Sequence, residues 1–246
     1  MSTLEAVLIR IKKERPRKVV AFTGSGISAE SGVPTFRGAT GLWQNFRPEE
    51  LATLEAFERD PRLVWEWYEW RRDLIRNAAP NAAHLALALL ERQRNAEVMV
   101  VTQNVDDLHR RAGSTRLLEL HGNIFRTRCM ADGTVSEALA PFHSCPPLCP
   151  CGALLRPDVI WFGELLPEGI LERAAELVAG SDLLMVIGTS GLVYPAAGLV
   201  SLARRTSIEI NPQPTPLTAV CSESLAAAAS YAVPAIVEAI ISGGGI

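Results

Sequence analysis

Four short runs of apolar and β-branched residues recur along the chain: KVVAFT (18–23), EVMVVTQN (97–104), DLLMVIGTS (182–190) and SIEINP (207–212). Continuous apolarity without alternation marks strands buried on both faces. Between these runs the period lengthens to that of helices. ISAESG opens one helix after a glycine turn. Residues 51–77 carry helical patterning, with Pro61 behind Asp60 marking a start, and NAAHLALALLERQ (81–93) reads as another helix. Apolar strands alternating with helices predict a parallel sheet with helices on both faces. Each strand ends in Gly, Ser, Thr or Asn, so ligand chemistry is expected at the carboxyl edge.

One stretch breaks the rhythm. Residues 122–158 hold four of the five cysteines, are rich in proline and glycine, and show no clear period, which predicts a small inserted lobe. The totals add three exclusions. A net charge of −3 argues against a nucleic-acid partner bound by phosphate neutralisation. No run of 18 apolar residues occurs, and the N-terminal segment is charged and amphipathic without a signal core, so no membrane partner and a cytoplasmic location are expected. Five cysteines, three of them at Cys145, Cys149 and Cys151, do not suggest a secreted disulfide framework and raise the question of a metal.

The candidate chemistry lies at the strand ends. In TGSGISAES (23–31), Gly24 and Gly26 allow close backbone approach, and a helix N-terminus follows to receive a pyrophosphate. This is not the dehydrogenase form of the motif. An acidic residue is wanted at the end of the next strand, about 20 residues on, to hold a ribose. Here the next clear strand ends in Thr102, Gln103 and Asn104. Gln103, Asn104 and Asp106 form a polar cluster at a strand end, where buried amides and carboxylates need partners. His121, just before a glycine at the entry to the inserted lobe, suits a general base.

GSGISAESGVPTFRG, TQNVDDLH, LHG, LLRPDVIWFGE, GTS and EINP stand in the order and spacing of the sirtuins, and the chain resembles that family of NAD-dependent protein-lysine deacylases over essentially its whole length. Ser25 stands where the family's first glycine turn usually has Ala. The resemblance implies a Rossmann-like α/β fold, a parallel sheet with helices on both faces plus a small helical or zinc-ribbon-like lobe formed by two insertions. Residues 1–36, 81–121 and 159–246 would form the NAD-binding domain, and 37–80 with 122–158 the small one. The implied reaction consumes NAD and acylated lysine of a protein or peptide, and a monomer is expected.

By the same resemblance His121 is the base, and Asn104 and Asp106 complete the catalytic set. The cofactor would be held by Gly24, Ser25, Gly26, Ala29, Glu30, Gln103, Val105, Gly188, Thr189 and Ser190, with Asn211, Pro212, Gln213 and Ala229 around the adenine. TFRGATGLWQNF (35–46) matches the family's mobile cofactor loop, with Thr35, Phe36, Arg37 and Trp43 over the cofactor. Tyr68 and Arg71, three apart on one helix face, match the pair that binds malonyl or succinyl carboxylates, and Ala52 the small residue widening that pocket. Val159, Trp161, Phe162 and Gly163 would line the acyl-lysine tunnel and clamp the peptide. Removal of succinyl and malonyl groups follows as an expectation, with acetyl also accepted. Two other outcomes of the cofactor chemistry are an ADP-ribosyltransferase or NAD hydrolase, and a non-catalytic NAD or ADP-ribose sensor. His121 beside Asn104 argues against the sensor, and Tyr68 with Arg71 against the transferase.

Zinc stays open at this level. The family holds a structural zinc with two Cys-x-x-Cys pairs, but CMAD offers Asp132 where the second Cys of the first pair belongs. Cys129, Cys145, Cys149 and Cys151 supply four thiolates. A mixed site with Asp132 or His143 and a lobe without metal are the alternatives.

Overall fold

The computed structural model describes residues 2–36, 47–93, 96–138, 141–142 and 144–243. Six strands build the main sheet: β1 (Lys18–Thr23), β2 (Glu97–Thr102), β3 (Leu117–Glu119), β7 (Leu183–Ile187), β8 (Thr206–Ile210) and β9 (Glu223–Leu225). Their spatial order is β3-β2-β1-β7-β8-β9, and every neighbouring pair is parallel. The chain therefore winds outward from β1 in one direction, then returns and winds outward from β7 in the other. Open sheets of this kind bind ligands at such a reversal, here outside the carboxyl ends of β1 and β7.

Alternate residues of β1 serve opposite faces. Val19 and Ala21 pack with α1 (Leu4–Glu14), α6 (Ala82–Arg92) and α9 (Ala229–Gly243). Val20 and Phe22 pack with α8 (Ile170–Ala179) and the 3-10 segment Ala196–Leu202. Both faces of the sheet are thus covered, which is why its strands read as unbroken apolar runs. Two strands escaped the sequence pattern. β3 and β9 have only three residues each, too short for a periodic signal.

Between β3 and β7 the chain builds a second sheet, ordered β5-β4-β6, from β4 (Gly122–Cys129), β5 (Val135–Glu137) and β6 (Leu155–Val159). It is antiparallel, and its outward arginines, Arg126 and Arg128, both pair with Asp158 across the ladder. Short helices α2 (Gly26–Ala29), α3 (Pro48–Leu51), α4 (Leu54–Arg59) and α7 (Leu108–Arg111) link the larger elements. The long helix α5 (Pro61–Asn77) lies against the small sheet. Asp60 caps it by accepting from the Leu63 amide at 3.0 Å, and Pro61 occupies the first turn, where its missing N–H costs nothing. Arg72 of α5 is fully buried and donates to the carbonyl of Ile124 at 2.6 Å and to Glu69 at 2.6 Å. Trp65 donates to the Leu155 carbonyl at 2.7 Å. These bonds pin α5 to β4 and β6 and so fix the face that carries Tyr68 and Arg71.

The meeting of the turns at this reversal depends on one glycine conformation. Gly188 sits at φ +60°, and a Cβ there would lie 2.3 Å from the Ile27 nitrogen. Gly188→Ala therefore combines backbone strain with a clash against main chain, and should cost more than about 2 kcal/mol. Thermal melts should show Tm lower by roughly 4–8 °C; an unchanged Tm would contradict this account of the turn.

Candidate active site at the carboxyl edge of the sheet

The turns after β1 and β7 are in direct contact. The Gly24 amide donates to the Ile187 carbonyl at 2.9 Å, and the Gly26 amide to the Gly188 carbonyl at 2.8 Å. A Cβ on Gly24 would come within 2.8 Å of the Gly188 oxygen and of Thr189 Cα. From the sequence alone these glycines are expected to serve a ligand's close approach. In the fold, their missing side chains admit the neighbouring turn, and the cradle is the product of that contact.

Polar residues beyond β2 lock onto this cradle. Gln103 donates through Nε2 to Thr189 Oγ1 at 3.0 Å, and Asn104 through Nδ2 to the Gly24 carbonyl at 3.1 Å. Asn104 Nδ2 also reaches Ser28 Oγ at 3.3 Å, and Ser28 donates to Asp106 Oδ2 at 2.6 Å. The other oxygen of Asp106 accepts from the Leu108 amide at 3.0 Å. Burial raises the pKa of Asp106, while Ser28, the Leu108 amide and Arg71 pull it down. From β8, Asn211 Nδ2 donates to the Thr189 carbonyl at 3.0 Å. Ser25 and Ser190 are half-buried beside these turns, Val105 is half-buried, and Ala29, Pro212 and Gln213 are exposed. Glu30 accepts from the amide and hydroxyl of Ser230 at 3.0 and 2.6 Å, which ties α2 to the first turn of α9 at Ala229.

His121 enters from the connection between β3 and β4. Its Nδ1 lies 3.0 Å from the Gln103 carbonyl oxygen. A carbonyl only accepts, so Nδ1 carries the proton and Nε2 keeps its lone pair. Burial lowers the pKa of His121, opposed by that bond, so the ring is a neutral base near pH 7.

A layer beneath was not legible. His109 Nε2 lies 3.0 Å from Thr23 Oγ1, which donates to Thr102 Oγ1 at 2.8 Å; that oxygen accepts from the Asn104 amide at 3.0 Å. His84, its ring centroid 4.8 Å from that of His109, lies 3.5 Å from Ser28 Oγ and closes a capping box with Asn81. Both rings are buried and held neutral, His84 with its pKa lowered to about 4. The signal that could have found His84 is the box itself, with Asn81 three residues ahead of it.

A second cluster adjoins the first. Arg71 is buried with its guanidinium 4.7 Å from the Phe36 ring and 4.9 Å from that of Trp67. Among the described residues no oxygen accepts a hydrogen bond from it; burial lowers its pKa, and Tyr68 and Asp106 counter through charge alone. Tyr68, Ala52, Val159 and Trp161 are buried in the same small-lobe core. The Phe162 amide donates to the Ala52 carbonyl at 2.9 Å, and Gly163 turns at φ +86°. Thr35 and Phe36 are half-buried beside this cluster, whereas Arg37, Trp43 and the rest of 37–46 lie outside the described residues.

The four cysteines of the inserted lobe divide three to one. Sγ atoms of Cys129, Cys149 and Cys151 lie within 4.8 Å of one another, and Cys129 and Cys151 approach to 3.6 Å. Cys145 faces the Arg62 carbonyl at 3.8 Å instead, which corrects the four-thiolate expectation: its position on the far side of a two-proline turn carries it to α5. Asp132 shares the tight turn of Cys129 and accepts from the Thr134 amide at 2.9 Å, but does not join the group of three. His143 lies outside the described residues. Three thiols at this spacing fit zinc, whose tetrahedral thiolate sites place sulfurs about 3.8 Å apart. Cys129→Ser or Cys149→Ser should therefore abolish zinc co-purification and lower Tm, whereas Cys145→Ser should leave both unchanged; elemental analysis of the purified variants decides.

Among the described residues no helix is long and apolar enough to cross a membrane, and all five cysteines are free. Residues 24–195 match the model of the Sir2 family. An NAD-dependent protein deacylase of Pyrobaculum aerophilum is 51% identical over 228 residues, covering 91% of each chain. A solved complex of a Sir2 homologue with NAD superposes with a TM-score of 0.89 at 44% identity, over 98% of this chain and 95% of the other. A Sir2 complex with p53 peptide and NAD+ does so with a TM-score of 0.81 at 30% identity, over 99% of both. Sharing fold and nearly its whole length with these proteins, the chain belongs to the Sir2 family, the sirtuins.

Proposed function

We propose that the protein removes acyl groups from protein lysines at the expense of NAD, releasing nicotinamide and O-acyl-ADP-ribose, with succinyl and malonyl groups preferred and acetyl accepted. The observation that carries the deacylase reading is His121, oriented by the Gln103 carbonyl with Nε2 open as a base, on the same edge as Asn104 and Asp106. Bound NAD supplies a cationic leaving group and the ribose carbon to which the acyl oxygen adds. The chain's own task is to hold and to move one proton. Gly24, Ser25 and Gly26 with Gly188, Thr189 and Ser190 would cradle the phosphates and the adenosine ribose, with Asn211, Pro212, Gln213 and Ala229 near the adenine. Gln103, Asn104 and Asp106 would orient the other ribose and the nicotinamide, and His121 Nε2 would accept the ribose hydroxyl proton. Cys129, Cys149 and Cys151 would hold zinc away from the reacting atoms, in a structural role.

The acyl preference rests on Arg71. A buried guanidinium without an acceptor among the described residues is costly unless a ligand completes it, and a carboxylate matches its fork. Ala52 and Tyr68 shape the pocket around it. We place the nucleotide domain at 1–36, 81–121 and 159–246 and the acyl-selecting lobe at 37–80 and 122–158. Free thiols throughout suit a reducing cytoplasm, and the reading requires only one copy of the chain.

The test is incubation with NAD and succinyl-, acetyl- and unmodified lysine peptides, following nicotinamide and peptide mass. Nicotinamide release without loss of the acyl group would favour a transferase or hydrolase, and binding without release a sensor. His121→Ala should lower turnover at least about 100-fold with NAD affinity retained. The acid limb of the kcat/KM profile should fall below the ordinary imidazole value of about 6.5, because activity is lost only as His121 gains a proton at its lowered pKa. Arg71→Met should depress kcat/KM for succinyl peptide about 10-fold or more relative to acetyl peptide; equal losses would remove the acyl assignment.

A further inference from the structure

Tyr68 does not stand alone beside Arg71. The indole Nε1 of Trp161 donates to its hydroxyl oxygen at 2.9 Å, and both side chains are 3% exposed. Indole nitrogen can only donate, so Tyr68 is fixed as the acceptor in this pair. Its own proton must then point elsewhere, and among the described residues no oxygen or nitrogen receives it. Arg71 lies alongside, its guanidinium carbon 6.0 Å from the Tyr68 ring centroid and likewise without an acceptor. Among the described residues, two donors without an acceptor thus share one buried corner.

The indole is itself held firmly. Arg156 stacks over it at 3.5 Å, donates to Glu164 Oε2 at 2.9 Å and to the Val159 carbonyl at 2.8 Å. Glu164 in turn accepts from the Trp161 amide at 2.7 Å, and the Phe57 ring packs 5.3 Å away. The direction of the indole N–H is therefore set by the 155–164 segment and Phe57.

We propose that Trp161 is a specificity-determining positioning residue. By occupying the Tyr68 oxygen, it keeps that oxygen from accepting a hydrogen bond from Arg71 and presents the phenol proton, together with the guanidinium, to the carboxylate of an acidic acyl group. This rests on the acidic-acyl reading of Arg71 and adds the residue that keeps the corner open. A purely structural tryptophan would act on all acyl substrates alike.

The readout is the ratio of kcat/KM for succinyl peptide to that for acetyl peptide, measured on one preparation so that partial unfolding cancels. Trp161→Phe, which keeps a ring beneath Arg156 but lacks the N–H, should lower this ratio about 10-fold. In a Tyr68→Phe background the same change should leave the ratio unmoved, because the oxygen it controls is gone. Should Trp161→Phe fail to fold, 3-benzothienylalanine placed at position 161 has the indole's shape without its N–H and must give the same fall. An unchanged ratio, or an equal fall with and without the Tyr68 oxygen, overturns the proposal. Arg71→Met that shifts the ratio while the position-161 variants do not would overturn this inference alone; Arg71→Met without selectivity would overturn it together with the acyl reading.

Discussion

Main-chain contact between the turns after β1 and β7 is the constraint on which the site depends. Gly24, Gly26 and Gly188 bring two strand ends to within hydrogen-bonding distance, and side chains there would collide with backbone. Asn104 then reaches the Gly24 carbonyl, Gln103 reaches Thr189, and Asn211 reaches the Thr189 carbonyl. Residues from four strands become one rigid edge because the two central turns touch. Preorganisation of this kind suits chemistry in which the cofactor carries the reactive carbon and the protein supplies placement.

The second constraint is the docking of α5. Arg72 and Trp65 spend their polar groups on carbonyls of the small sheet, so the helix cannot rotate. Tyr68, one turn after Trp65, and Arg71, next to Arg72, are thereby set against aromatic rings. Adjacent arginines thus differ: Arg72 donates to carbonyls and to Glu69, whereas Arg71 packs against the rings of Phe36 and Trp67.

Much of the fold could be read from the chain because burial on both faces writes itself as continuous apolarity. The four long strands of the main sheet, the Asp60–Pro61 start of α5 and the two-faced sheet were of this kind. What could not be read lacked a periodic signal. β3 and β9 are too short, and β6 contains Pro157 yet pairs as an edge strand of the small sheet. The polar cluster at the site was visible as residue types, but its wiring through Ser28, His84 and His109 was not, since those contacts join segments up to 86 residues apart. Cys145 shows the converse error. Proximity in sequence to Cys149 and Cys151 suggested a shared metal, and a two-proline turn sent it elsewhere.

The buried histidines carry a consequence for the protein as a whole. His84 is held neutral with its pKa lowered to about 4, so the folded chain refuses a proton that the unfolded chain takes up near 6.5. The stability associated with its burial is complete above that higher value. It drains away as the medium is acidified from about 6.5 toward 4, at roughly 1.4 kcal/mol per pH unit, while the unfolded state binds the extra proton. His109, lowered by burial and by its neighbour, works in the same direction. The layer that steadies Asn104 and Asp106 from below thus sets an acid boundary on the folded state itself, separate from the titration of the base above it.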